Sequence, residues 1–188
     1  EEESNKRGFE TIPIFSKNKN TPSSIIKLKK YLKTNKVDVI HSNHSHDLWI
    51  LTPALYFAKS KAKLFLTKHM ASGVKKTDVM HKYLYKRLNG IFAISRYIQN
   101  SVLETCPVPV QKIHLLQVGI DLDRFNINNI NKNDLKQEHS LPKDKLLIGI
   151  VGRITPGKGH EEFLEAAKII NNKYSGKVHY AVIGNASF

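Results

Sequence analysis

Leu146 to Ala167, LLIGIVGRITPGKGHEEFLEAA, is the stretch that most narrows what this chain can fold into. An apolar run (Leu146, Leu147, Ile148, Ile150, Val151) leads into a loop containing Gly152, Gly157 and Gly159, and an amphipathic helix pattern follows at once. Strand, glycine loop and helix in that order open a βαβ unit, and the apolar run Val178 to Ile183 reads as its second, parallel strand, reached by a right-handed crossover. The loop also suits a phosphate. Glycines admit close backbone approach, and a helix N-terminus offers unpaired N–H groups and a partial positive charge. Arg153 and Lys158 add two full charges.

Two phosphate motifs nearly fit and then fail. Gly152-x-x-x-x-Gly157-Lys158 has Walker spacing, but Gly159 stands where a Ser or Thr hydroxyl should hold magnesium. A dinucleotide fingerprint needs a second glycine two positions after the first, and Ile154 is there instead. From these residues alone a plain helix–sheet packing turn with incidental cations stays open.

Upstream, short apolar runs alternate with helix patterns. Strands are expected at Thr11–Phe15, Val37–Ile40, Ala62–Thr67, Ile91–Ile94 and Ile113–Leu116. Helices are expected at Pro22–Leu32, from an N-cap at Asp47 to Ala58, at Asp78–Leu88, and from an N-cap at Ser95 to Thr105. Strands separated by helices imply a parallel sheet covered on both faces. An Asn-rich polar stretch over 126–140 reads as surface connection, with a domain boundary just ahead of it near Val118–Asp121. On the helix after Gly159, Phe163, Leu164, Ala166, Ala167 and Ile170 form the expected buried stripe, with Glu161, Glu162, Glu165 and Lys168 outward.

The charge is lopsided. Residues 1–120 hold 20 Lys and Arg against 8 Asp and Glu, whereas residues 121–188 hold 10 against 8. The excess gathers at Lys27, Lys29, Lys30 and Lys33, and again at Lys82, Lys86 and Arg87. It suits an anionic partner such as a membrane surface, a phosphorylated acceptor or nucleic acid, or else is a well-solvated lysine face. No apolar run approaches the roughly 18 residues of a membrane span. The lone Cys106 excludes an internal disulfide and suits a reducing compartment, so the chain reads as cytoplasmic, with room for a peripheral membrane location.

Several segments together resemble group 1 (family 4) retaining glycosyltransferases of GT-B fold. Val151, Gly152, Arg153, Ile154, Lys158, Gly159, Leu164 and Ala167 follow that family's strand, V-G-R-[LI], K-G and L-x-x-A helix in order. Lys36 to His41, Leu66 to His69, Ile91 to Ser95, Ile113 to Phe125 and Leu141-Pro142 follow its earlier segments in order. Gln117 and Met70 depart from its usual Asn and acidic residue. The resemblance implies two Rossmann-like domains facing across a cleft. Residues 1–118 would be the acceptor-side domain, a nearly complete parallel sheet without its first strand and glycine loop. Residues 119–188 would be the crossing segment and the first βαβ unit of the nucleotide-sugar domain. A pair of glutamates that contact the donor sugar in the family would lie downstream, so the chain reads as an internal fragment, inactive alone.

The same resemblance assigns roles. Gly152, Arg153, Lys158 and Gly159 would bind the donor diphosphate, needing neither metal nor cofactor. His69, at the carboxyl end of a strand, would lie beside the reacting sugar; position alone favours a hydrogen-bonded loop histidine with no ligand. His41, Asn43 and His44 would meet acceptor hydroxyls. His41, His44, His46 and Asp47 are dense enough to suggest a metal, but their spacings are not those of a zinc site. The expected activity is sugar transfer from a nucleotide sugar to a glycan or lipid-linked acceptor in envelope polysaccharide or lipopolysaccharide synthesis, with no nucleic-acid partner. A nucleotide-sugar epimerase, or a basic module for anionic surfaces or nucleic acid, remain alternatives.

Overall fold

Four short runs in the basic half become strands that pair in parallel. In a computed structural model that describes residues 4, 6–14, 22–123, 125, 126, 128 and 135–185, they are β1 (Val39–Ser42), β2 (Lys63–Lys68), β3 (Gly90–Ala93) and β4 (Ile113–Leu115). They lie in the order β1-β2-β3-β4. His41 stands opposite Phe65, Phe65 opposite Gly90, and Phe92 opposite His114. Strand alternation then divides the side chains. Leu64, Leu66, Ile91, Ala93 and Ile113 enter the core, while His41, Phe65, Phe92 and His114 form a row of rings 5.5 to 6.2 Å apart through Phe92. A Cβ at Gly90 would come within 3.1 Å of the Phe65 ring, which would have to give by a few tenths of an ångström.

Helices α1 (Pro22–Thr34), α2 (Leu48–Ala58), α3 (Val79–Lys86) and α4 (Arg96–Thr105) supply the rest of this core. Leu28 and Leu32 of α1, Leu48, Ile50, Leu51 and Leu55 of α2, Leu84 and Tyr85 of α3, and Ile98 and Val102 of α4 are all buried in it. Their ends follow capping chemistry. The Ser95 hydroxyl accepts from Ile98 N–H at 3.2 Å, and the Asp78 carboxylate accepts from His81 N–H at 3.0 Å. Asp47 precedes α2 as expected but does not cap it. A 3-10 turn at Ser45–Asp47 runs into the helix, and Asp47 Oδ2 instead accepts from the Ser42 hydroxyl at 3.1 Å.

The expected strand at Thr11–Phe15 is not formed over residues 11–14, and Phe15 lies outside the described residues. Thr11, Ile12 and Pro13 are exposed, and no described strand runs beside them to complete a ladder.

A second unit begins at Asp121. After a short helix α5 (Leu135–Glu138), β5 (Leu146–Val151), α6 (His160–Lys173) and β6 (Val178–Ile183) form a βαβ unit with β5 and β6 parallel, Leu146 opposite Val178 and Val151 opposite Ile183. The buried stripe of α6 is narrower than its pattern suggests. Ala167 is buried and Phe163 and Ile170 are half-buried, but Leu164 is 60% exposed and Ala166 is exposed too. A two-stranded sheet covers only a narrow face of a helix. Phe163 meets the Tyr180 ring edge-on at 6.1 Å.

Leu66→Ala is expected to destabilise the first unit by about 2–5 kcal/mol in urea unfolding, because the site is walled by side chains that cannot all collapse. Ser95→Ala should cost about 1 kcal/mol through the lost cap. The His81 N–H and then its ring hold the Asp78 carboxyl below the ordinary 3.8. Its contribution to folding is therefore complete above that value and disappears as pH falls through the lower folded one. Acid titration of parent and Asp78→Ala should diverge above pH 4 and converge below it.

Candidate functional site

Parallel pairing sends the carboxyl ends of β1 and β2 to one edge of the sheet, and there the polar side chains of two loops meet. His41 Nε2 and the Thr67 hydroxyl share a hydrogen bond of 2.6 Å. His69 Nε2 and Asn43 Oδ1 lie 3.3 Å apart. With the carbonyl oxygen accepting, Nε2 carries the proton and Nδ1 is left as an acceptor. The Lys68 ammonium donates to the Ser45 hydroxyl at 3.0 Å. Ser42, buried at the end of β1, donates to the carbonyl of His44 at 3.0 Å.

His41, Asn43, His44 and His69 are thus neighbours at one edge, all exposed and two of them linked. This edge is a polar ledge at the top of the sheet. His46 is exposed, and Asp47 turns back to Ser42 rather than toward the histidines.

Lys68 and Thr67 belong to this edge and carried no role in the sequence reading. The available signal was their place in Leu66-Thr-Lys-His69, where alternate residues at a strand end face opposite ways. Burial lowers the Lys68 ammonium below its ordinary value, with Cys106 opposing and Lys76 adding to the shift. Beneath it, burial pushes the Tyr85 phenol above the usual tyrosine range. Ser45 and Cys106 lie close to that phenol, but no hydrogen bond to it meets ordinary geometry.

In the second unit the loop after β5 is shaped by two left-handed glycines, Gly157 at φ +77° and Gly159 at φ +80°. Gly159 is the N-cap of α6, where a Cβ-bearing residue would be strained. A pocket of about 350 Å³ opens beside it, lined by Thr155, Gly157, Gly159, His160, Glu161 and Glu162 among others. Arg153 and Lys158 are exposed and do not line it. Glu161 and Glu162 fall in the first turn of α6, where negative charge complements the helix dipole. Both His160 ring nitrogens are buried with no hydrogen-bond partner.

The loop is braced by the segment after β6. Gly152 N–H donates to the Ile183 carbonyl at 2.9 Å, and Ile154 N–H donates to the Asn185 carbonyl at 3.1 Å. A Cβ on Gly184 would overlap the carbonyl of Gly152. Gly184 is therefore a third residue unassigned from sequence; its signal was a glycine at the carboxyl end of the second βαβ strand.

Two parallel α/β units, each with its loops at the carboxyl ends of its strands, are the architecture of the GT-B class. Residues 2–124 match the family model described as Glycosyltransferase Family 4, and the chain belongs to that family. It is 30% identical over 175 residues to an Escherichia coli protein named UDP-Gal:alpha-D-GlcNAc-diphosphoundecaprenol alpha-1,3-galactosyltransferase, covering 86% of this chain and 44% of that one. Its fold is similar to a glycosyltransferase from Rickettsia africae (TM-score 0.71, 21% identity, 99% of this chain and 57% of that one). It is also similar to Anabaena HepE in complex with UDP and glucose (TM-score 0.67, 18% identity, 94% and 46%). The chain spans about half the length of the relatives it matches.

Gly184→Ala is expected to separate the two loop segments and abolish hydrogen-exchange protection of the Ile154 amide, while protection in β1 to β4 stays as it was. Undiminished protection at Ile154 would show that the loops are not held by this backbone approach.

Proposed function

We propose that the full-length protein transfers a sugar from a nucleotide-diphosphate sugar to a glycan or lipid-linked acceptor in envelope polysaccharide synthesis. The family match over residues 2–124 carries this reading, and it favours transfer over the epimerase and nucleic-acid alternatives. The E. coli relative's name specifies a UDP-galactose donor and a diphosphoundecaprenol-linked acceptor, which supports both halves of the proposal.

In this reading the donor diphosphate lies at the N-terminus of α6, against the backbone of Gly152 and Gly159, with Arg153 and Lys158 closing on it from the loop. The bond from the anomeric carbon to the diphosphate oxygen breaks, and its electron pair leaves with the diphosphate. The amides, the helix dipole and two cations stabilise that growing charge. The acceptor hydroxyl forms the new bond to the same carbon and gives up its proton to the departing diphosphate. Transfer with retention of configuration is part of this reading, as the resemblance implies.

Acceptor and sugar hydroxyls would meet the ledge at the end of β1 and β2. Nδ1 of His69 accepts from a sugar hydroxyl while Asn43 fixes the ring, and His41, held by Thr67, together with His44 extends the ledge. The place of work is the cytoplasmic side of the membrane, where nucleotide sugars and lipid-linked acceptors can be handled together. No helix among the described residues is long and apolar enough to cross a membrane.

Arg153→Ala with Lys158→Ala in the full-length protein should weaken UDP-sugar binding by at least tenfold in calorimetry, each lost charge-assisted contact being worth about 1.5–3 kcal/mol. Unchanged affinity rejects the donor assignment. His69→Ala should lower transfer while leaving donor affinity within about twofold, since the ring is placed on the sugar and acceptor rather than on the diphosphate.

A further inference from the structure

A cavity of about 500 Å³ lies between the loop that follows β2 and one face of α4, and none of the roles above uses it. Ser72 and Gly73 wall it on the loop side, and Tyr97, Asn100, Ser101 and Glu104 wall it on the helix side. The four helical positions are spaced three and four apart, so they share one face of α4, while Ile98, Val102 and Thr105 are buried. The loop is fastened to that face. Ser72 N–H donates to the Ser101 hydroxyl at 3.1 Å, and the same hydroxyl donates to the Ser72 carbonyl at 3.2 Å. The Lys76 ammonium donates to the Ser72 hydroxyl at 2.9 Å. Both serines are therefore committed to the wall.

Three side chains of the cavity remain uncommitted. Tyr97 is 76% exposed, Asn100 and Glu104 are exposed too, and no cation among the described residues pairs with Glu104. That carboxylate stands against two preferences. It lies in the last turn of α4, where the helix dipole favours a cation. It is also unpaired in a stretch, residues 1–120, that holds 20 Lys and Arg against 8 Asp and Glu. The cavity has no lysine or arginine in its walls, so phosphate or an acidic ligand does not suit it.

An exposed ring, an amide and a carboxylate around one small cavity can hold a pyranose. The ring takes the C–H face of a sugar, the amide both donates to and accepts from hydroxyls, and the carboxylate accepts from two of them. Ser72 is three residues beyond His69, so about 10 Å of chain joins this cavity to the ledge at the same carboxyl edge of the sheet. We propose that the cavity is a subsite for a neutral pyranose of the acceptor glycan, the sugar next to the one that accepts, with Tyr97 against its C–H face and Asn100 and Glu104 on its hydroxyls. This deepens the proposal of sugar transfer and rests on it for its purpose. It makes acceptor length a determinant of specificity, since an acceptor with a single sugar would leave the subsite empty.

The test is saturation-transfer NMR of the full-length protein against methyl β-lactoside, methyl β-maltoside, N,N′-diacetylchitobiose and mannobiose. At least one disaccharide should receive saturation on both rings. Tyr97→Ala should weaken its binding roughly tenfold and lose the transfer from one ring only. Tyr97→Phe keeps the ring face and should bind within about twofold of the parent. Glu104→Gln should weaken binding about tenfold, yet leave Tm unchanged or raised, because it removes a negative charge from the carboxyl end of a helix. A merely structural carboxylate would lower Tm instead. Tyr56→Ala, an equally exposed tyrosine on α2, should bind as the parent does. No saturation from any of the four sugars, parental binding in both Tyr97→Ala and Glu104→Gln, a loss in Tyr56→Ala as large as in Tyr97→Ala, or a lowered Tm in Glu104→Gln would each overturn the proposal. Calorimetry with a UDP-sugar is run alongside. Absent donor binding with the disaccharide still bound counts against sugar transfer and leaves a carbohydrate site standing, whereas donor binding with no disaccharide bound counts against the subsite alone.

Discussion

Parallel hydrogen bonding is the constraint on which everything else depends. Because β1 to β4 run the same way, their carboxyl ends fall on one edge, and every loop leaving that edge can bring a side chain to the same place. His41 lies near the end of β1 and Asn43 follows it, while Lys68 ends β2 and His69 follows it. Residues 26 apart in sequence therefore meet as the pairs His41–Thr67 and Asn43–His69. An antiparallel pairing of the same two strands would have put those loops at opposite ends.

The second unit obeys the same rule with fewer parts. Two parallel strands bring Gly152 and Gly184 side by side, and the two loops are stitched through backbone groups alone. This stitching commits the amides of Gly152 and Ile154 to the neighbouring segment. The carboxylates of Glu161 and Glu162 line the pocket at Gly159, whereas Arg153 and Lys158 lie exposed outside it.

Burial separates the first unit's two kinds of surface. The core is apolar and continuous from Leu28 to Ile113, which holds the polar ledge on a stiff base. Away from that ledge, α2 and α3 carry exposed aromatic and aliphatic groups beside lysines, an arrangement costly in water unless something covers it. The polar ledge and the exposed apolar side chains of α2 and α3 thus occupy different surfaces of one small sheet domain.

Much was legible in the sequence because local rules act over a few residues. Ser95 as a cap, the apolar runs as strands, and the glycine loop between β5 and α6 all depend on neighbours within one or two turns. Where local pattern misled, distant contacts decided. Thr11 to Ile14 lacks a strand because no described strand runs beside it, Asp47 turned to Ser42 instead of capping α2, and Leu164 stays exposed because two strands cannot cover that side of α6. The acceptor-side residues were named from sequence, but the pairing of His69 with Asn43, the place of Lys68 over Ser45, and the need for glycine at 184 were not. Each is a contact between segments more than twenty residues apart, and only strand register, set by the whole sheet, determines which of them touch.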